Sequence, residues 1–268
     1  MIAYPHINPT IIRVGPFAVR WYGVMYILGF VASYLLFQYQ VRKKKIKGLT
    51  PEIVENLYFW LILALVIGAR LGYVLFYNLG YYLQNPLRIF AVWQGGMSFH
   101  GGLAGLVIAG VLFCRKYKVD FWTLADLFAP TAPPGLGFGR LGNFINGELF
   151  GRPSNLPWAM VFPQGGDVPR HPSQLYEFSL EGVALFIILW ILKDRVKTRG
   201  LLFAIFLILY GVFRFSLEFL RQPDPQLGFI IGPFTMGQIL SSAMVVAGAA
   251  LAVWAKSSSS SAKKKSAQ

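Results

Sequence analysis

Long apolar runs separated by short polar stretches dominate this chain. Seven of them, 21–41, 56–77, 89–114, 121–138, 175–192, 200–220 and 229–254, approach the ~20 residues a helix needs to cross a hydrocarbon core of ~30 Å. The first, second and seventh are the cleanest. The fourth is short and carries Asp126 and three prolines. The pattern predicts an all-α, polytopic integral membrane protein with about seven transmembrane helices. It also predicts a long outer loop over 139–174, a single transmembrane domain over 1–255, and a polar tail over 256–268. The tail, KSSSSSAKKKSAQ, has no apolar content and is expected to be disordered. The residues before Trp21 lack a basic start followed by an apolar stretch, so the first span is expected to stay in the mature protein.

Composition agrees, with 55% hydrophobic and 13% charged residues among 268. A soluble domain carries about 25% charged residues. The net charge of +14 would suit nucleic acid, but its placement argues against that partner. Sixteen of the 25 Lys and Arg residues sit at 42–47, 115–118, 193–199 and from Lys256 onward, at alternate ends of the seven spans. Cytoplasmic loops are enriched in this way, so the N-terminus is expected outside and the C-terminus in the cytoplasm. Basic residues beside spans also attract anionic membrane lipids. The pairs Gly68/Gly72 and Gly101/Gly105 suit close helix packing. No internal repeat stands out, which weighs against many transporter folds. Cys114 is the only cysteine and is read as a packing residue. His6, His100 and His171 are scattered, no zinc spacing occurs, and neither a Walker loop nor a dinucleotide fingerprint is present, so no metal or cofactor is expected.

Ionisable residues inside spans are costly and usually functional. Here they are Arg70, His100, Asp126, Glu177, Glu181, Arg214 and Glu218. A rise of about 1.5 Å per residue puts Arg70 and Arg214 about 21 Å above the cytoplasmic end of their helices. It puts His100 roughly 16 Å below the outer surface if its helix starts at Ile89. Most of the charge therefore collects in the outer half. Asp126, near the inner end of the fourth span, is the exception, and its plain reading is a helix-start or loop role. Arg214 and Glu218, spaced i, i+4, are equally readable as a structural ion pair. Glu177 and Glu181 repel if both are ionised, so one is protonated or paired with arginine. Arg70 is also readable as a helix clamp, His100 as a packing residue, and Tyr22 as an interfacial anchor.

The stretch GFGRLGNFINGELFGR, residues 137–152, is harder to dismiss. Arginine offers a planar fork for phosphate oxygens. Glycines let backbone N–H groups approach an anion. A polar chamber open sideways to lipid points to a lipid substrate whose phosphate is the anion.

Five segments carry a resemblance: RWYGVMY, GGMSFHGGL, GRLGNFINGELFGR, HPSQLYE and YGVFRFSLEFLRQPDPQLG. In this order they resemble bacterial prolipoprotein diacylglyceryl transferases, over about 21–238. The resemblance implies an enzyme that takes the diacylglyceryl group from phosphatidylglycerol and places it on the lipobox cysteine thiol of a prolipoprotein. The products are a thioether and glycerol 1-phosphate. It implies a multi-pass protein of the bacterial inner membrane, with its active site towards the periplasmic face. Phosphatidylglycerol and lipobox signal peptides are the implied partners. Matching positions make Tyr22, Arg140, Asn143, Glu148, Gly151, Arg214 and Glu218 candidate site residues. Arg140 and Arg214 suit the charge that builds on phosphate. Asn143 suits orientation of the headgroup or loop, and Gly151 a backbone requirement. His100 is the first candidate base, with Glu148 and Glu218 as alternatives, or an arginine that lowers the thiol pKa instead. A transporter or lipid-binding channel is the competing class. It would be expected to carry polar groups along the whole path.

Overall fold

The computed structural model describes residues 2–15, 17–44, 46, 48–223 and 228–266. Lys45 and Lys47 of the first basic cluster, 224–227 of the last motif segment and 267–268 of the tail lie outside them. A hairpin, β1 (Thr10–Val14) with β2 (Phe17–Arg20), leads into α1 (Trp21–Lys44). There follow α2 (Pro51–Tyr77), α3 (Leu79–Gln84), two 3-10 turns (Pro86–Phe90 and Val92–Gln94), α4 (Phe99–Tyr117), α5 (Phe121–Phe128) and α6 (Ala132–Asn146). Next come α7 (Ser173–Glu177), a π-helical segment (Phe178–Ala184), α8 (Leu185–Leu192) and α9 (Leu201–Leu217). A second hairpin, β3 (Phe229–Ile231) with β4 (Phe234–Thr235), precedes α10 (Met236–Ser266).

Among the described residues, five helical stretches are long and apolar enough to cross a membrane: Trp21–Lys44, Pro51–Tyr77, Phe99–Tyr117, Ser173–Leu192 and Met236–Ser260. The chain forms two compact units. In the unit Gln38–Leu124, α2 and α4 pack on each other. A Cβ at Gly72 would stand 2.7 Å from the Gly101 Cα, so the small residues do set this contact. Thr50 and Ser98 cap the two helices by accepting from the N–H groups of Ile53 and Gly101. Arg70, only 4% exposed, donates to the carbonyls of Arg88, Ile89, Gly95 and Gly96, and its guanidinium lies over the Tyr82 ring. It clamps the segment between α3 and α4, which is the structural reading of that charge.

The other unit takes in Met1–Phe37 and Ala125–Gln268. Leu185, Leu189, Leu202 and Ala129 form one apolar cluster in it, and Tyr4, Phe144, Met160 and Phe162 another. Asp126 accepts from the N–H groups of Gly200 and Phe203 at 2.7 and 2.8 Å. It thus satisfies donors that the first turn of α9 leaves open, and its helix-start reading holds.

Several expected boundaries move. The span expected at 121–138 is two helices, because the prolines at 130, 133 and 134 fit only at or before a first turn, where N–H groups have no helical partner. The span expected from residue 89 begins at Phe99, after Ser98, so His100 lies in a first turn rather than deep in a helix. The sixth apolar run is a helix of 17 residues, and the seventh starts at Met236 after a hairpin. The glycine-rich stretch stays helical to Asn146, so Arg140 and Asn143 stand on α6 rather than in a loop. Gly147, at φ 68°, ends that helix in the left-handed region. α10 continues to Ser266 where the composition suggests disorder. Serine, alanine and lysine extend a helix that the apolar run before them has already nucleated.

Candidate functional site

Two glycines bring α6 and the π-helical segment together. A Cβ at Gly182 would lie 2.8 Å from the Gly137 Cα, so the backbones touch there. One turn on, Arg140 faces the π segment. π-Turns are rare and often mark functional sites. Here Glu177 at its edge and Glu181 inside it are both fully buried and both face arginines. The Arg140 Nε stands 2.6 Å from Glu177 Oε2, and its Nη2 3.5 Å from Glu181 Oε2. From α9, Arg214 Nη1 lies 3.2 Å from Glu177 Oε1 and 4.0 Å from Glu181 Oε1. Its Nη2 lies 2.7 Å from Glu218 Oε2. Arg221 Nη1 reaches Glu177 Oε1 at 3.5 Å.

The contacts of Glu177 Oε2 with Arg140 and of Glu218 Oε2 with Arg214 are ion pairs by distance, without the alignment of hydrogen bonds. Among the described residues, three arginines here face three glutamates. The expected repulsion between Glu177 and Glu181 is relieved by arginine. The Arg140 and Arg214 side chains keep 18% and 14% of their surface, while Glu177 and Glu181 keep 1% and none. An anion arriving here meets the guanidiniums first.

At the end of α6 the amides of Asn143 and Asn146 both donate to Glu148 Oε1, at 2.9 and 3.0 Å. Gln174, fully buried, donates to the Glu148 carbonyl at 2.7 Å, and Ser173 to the Leu149 carbonyl at 3.0 Å. Tyr22, at the start of α1, shares a hydrogen bond of 3.1 Å with Tyr26 and interacts with Asn143 and Glu148. Gly151 hydrogen-bonds through its N–H to the His171 carbonyl. A Cβ on it would stand 2.6 Å from both the His171 Cβ and the Leu220 carbonyl, so its role is close backbone approach. Arg152 then ties this stretch to the end of α9 by donating to the Arg221 carbonyl at 3.0 Å. Beside it, Trp158 donates to the Tyr176 hydroxyl, which also meets His171 Nδ1 at 3.3 Å. Burial lowers the His171 pKa from its ordinary value.

The expected residues thus gather in two neighbouring sets, Arg140 with Arg214 and Glu218, and Tyr22 with Asn143 and Glu148. Gly151 is a backbone element beside them. His100 belongs to the Gln38–Leu124 unit, where it is exposed in the first turn of α4 with its ring edge-on to Phe99 at 5.7 Å. Arg221 and Gln174 escaped the sequence reading as site candidates. Arg221 carried a usable signal, because i+3 from Glu218 and i+7 from Arg214 keep it on the same helical stripe.

The fold and the site are those of a multi-pass membrane protein with arginine and glutamate side chains gathered between its helices, arginine the more exposed. A family model described as prolipoprotein diacylglyceryl transferase matches residues 9–254. The chain is 53% identical over 250 residues to a phosphatidylglycerol–prolipoprotein diacylglyceryl transferase of Geobacter sulfurreducens, covering 93% of this chain and 96% of that one. It is 52% identical to enzymes of the same name from Desulfotalea psychrophila and Bordetella parapertussis, over 93% and 94% of this chain and 94% and 96% of theirs. The chain belongs to the prolipoprotein diacylglyceryl transferase family.

Proposed function

We propose that this protein transfers the diacylglyceryl group of phosphatidylglycerol to the lipobox cysteine of prolipoproteins, the first step of bacterial lipoprotein maturation. The observation that carries the reading is the buried Arg140–Glu177–Arg214–Glu218 cluster, set on segments that carry the family resemblance. The thiolate sulfur attacks the glyceryl carbon that bears the phosphate. The C–O bond breaks with its electron pair going to the phosphate oxygen, and glycerol 1-phosphate leaves. Negative charge grows on that phosphate, and guanidiniums held in advance stabilise it without reorganising. Arg140 and Arg214 take this role, with Glu177 and Glu181 fixing their aim. Asn143, Glu148 and Tyr22 form the neighbouring wall that orients the glycerol headgroup, and Gly151 keeps the backbone close.

The thiol, with a pKa near 8.5, must lose its proton to a base. His100 remains the first candidate and Glu148 the second. Glu218 fits less well, because both of its oxygens are engaged, with Arg214 and with Thr235. The spans, completed by α5 with α6 and by α9, number seven. The protein lies in the inner membrane as one catalytic domain. Its site and outer loop face the periplasm, its N-terminus lies outside and its C-terminus in the cytoplasm. No cofactor enters the reaction.

The test is release of glycerol phosphate by purified protein in phosphatidylglycerol micelles with a lipobox peptide. Release should require the peptide thiol and vanish when serine replaces that cysteine. A folded protein that moves phosphatidylglycerol between leaflets but releases no glycerol phosphate would be a transporter, and the reading would fall.

A further inference from the structure

Glu218 closes the last turn of α9 and is 5% exposed. Its Oε2 holds Arg214 Nη2 at 2.7 Å. Its Oε1 accepts from the Thr235 hydroxyl at 3.0 Å. Thr235 has a second engagement. The Gln238 N–H donates to Thr235 Oγ1 at 3.3 Å, and the Thr235 N–H donates to Gln238 Oε1 at 3.0 Å. This reciprocal pair, in the sequence T-M-G-Q, is the capping box that opens α10. Thr235 and Gln238 are 2% and 1% exposed, so water does not compete. A hydroxyl has one proton. The Thr235 oxygen accepts from the Gln238 N–H through one lone pair while its proton points at Glu218.

Gly237 completes the seat. A Cβ there would stand 2.7 Å from the Glu218 Cδ and 2.8 and 2.9 Å from its two oxygens. Any side chain would displace the carboxylate. The positive end of the α10 dipole favours the negative charge held there. A helix start needs only an N-cap acceptor. It does not need a hydroxyl proton aimed at a carboxylate, nor a glycine whose missing Cβ makes room for one.

We propose that Thr235, Gly237 and Gln238 are positioning residues of the transfer site: they lock Glu218, and through it they set the Arg214 guanidinium that receives the lipid phosphate. The proposal rests on the reading of Arg214 given above. The seat fixes one Nη of Arg214 on Glu218, while Glu177 holds the other.

The experiment separates capping from positioning. Thr235→Ser keeps the cap and the proton. Thr235→Asp keeps the cap, since aspartate is a good N-cap, but loses the donor and faces Glu218 with a like charge. Gly237→Ala keeps both hydrogen bonds of the box and pushes on the carboxylate. Initial rates of glycerol phosphate release are measured against phosphatidylglycerol concentration, with thermal stability of each purified variant alongside. Thr235→Ser should stay near the wild-type rate. Thr235→Asp and Gly237→Ala should lose about 10- to 100-fold in kcat/KM, the scale of a misaimed catalytic group. Adding Glu218→Gln to Thr235→Asp should cost less than the two single losses combined, because both act on one pair.

Equal rates for Thr235→Ser and Thr235→Asp would overturn the proposal, and so would strict additivity with Glu218→Gln. Failure of both Thr235→Asp and Gly237→Ala to insert would assign the seat to folding and overturn it too. Arg214→Lys is run beside them. If that variant were fully active, the phosphate reading of Arg214 itself would fail. If it were inactive while Thr235→Asp matched Thr235→Ser, only the seat would fail.

Discussion

Arg140 is a demanding residue because two different properties of its side chain are in use. Its Nε engages Glu177 and its Nη2 approaches Glu181, so the fork is oriented before any substrate arrives. Lysine keeps the charge but not the fork. Arg140→Lys should therefore lose most of the transfer rate and Arg140→Ala nearly all. Removing one partner of a buried ion pair costs about 3–5 kcal/mol, so each variant must be shown to insert before its rate is read. An inserted Arg140→Lys protein with wild-type turnover would end the bidentate phosphate role. His100 makes a different prediction. If it takes the thiol proton, His100→Gln should lower the rate by roughly 10²–10⁴. Raising the pH should then restore part of it, because the substrate thiol ionises by itself. A small loss, or one that pH does not change, removes His100 and leaves Glu148 as the candidate. The residue scale was the most legible from sequence, because buried charge is rare enough in apolar helices to stand out. Pairing was legible only locally. The i, i+4 pair Arg214–Glu218 could be read directly, whereas Arg140 meets Glu177 across 37 residues of chain and needed the fold.

At the scale of elements, the contact between α6 and the π-helical segment decides where Arg140 points. Gly182→Ala puts a methyl group against the Gly137 backbone, which cannot yield as a side chain does. Overpacking of this kind costs about 1–3 kcal/mol. A shift near 1 Å between the guanidinium and its partners can cost about 100-fold in rate. Gly139→Ala, on α6 beside Arg140, adds a methyl with nothing within 4 Å. It should be tolerated, or slightly stabilising through helix propensity. Equal rates for the two variants would show that the backbone contact does not aim Arg140. The sequence revealed that glycines cluster here but assigned them to an anion-binding loop. α6 is helical through Asn146, where Gly137 and Gly142 serve close packing against Gly182 and Tyr22, and packing outweighs their weak helix propensity. The π-turn left no sequence signal, since FSLEGVA has an ordinary apolar helix pattern. The T-x-x-Q box at the start of α10 fits a capping signature, which the sequence reading passed over by running one span through 229–254, and nothing in the sequence shows its contact with Glu218.

For the whole molecule, the number of spans fixes the side of every loop. If the five helices among the described residues that are long and apolar enough to cross all do so, the termini lie on opposite sides, because five is odd. Counting α5 with α6 as one crossing and α9 as another gives seven, with the same result for the termini. The two counts differ at Lys193, Arg195, Lys197 and Arg199. With five crossings these residues lie outside. With seven they join the basic clusters at 42–47, 115–118 and the tail on the cytoplasmic side. Retention of positive charge on that side favours seven, since it leaves every cluster where such loops are found. Lys197 is exposed, and Cys114 is the only native thiol and is buried. A Lys197→Cys variant in a Cys114→Ala background should be protected from a membrane-impermeant thiol reagent on intact cells and labelled after lysis. A reporter active only outside the cytoplasm, fused to the C-terminus, should be silent in the same cells. Labelling of Lys197→Cys in intact cells beside a silent reporter would reduce the crossings to five and turn α6 and the start of α7, with Arg140 and Glu177, away from the face where prolipoproteins arrive. A charge cluster of this cost in the wrong leaflet would have no substrate to meet, so the count of spans and the chemistry of the site stand or fall on the same measurement.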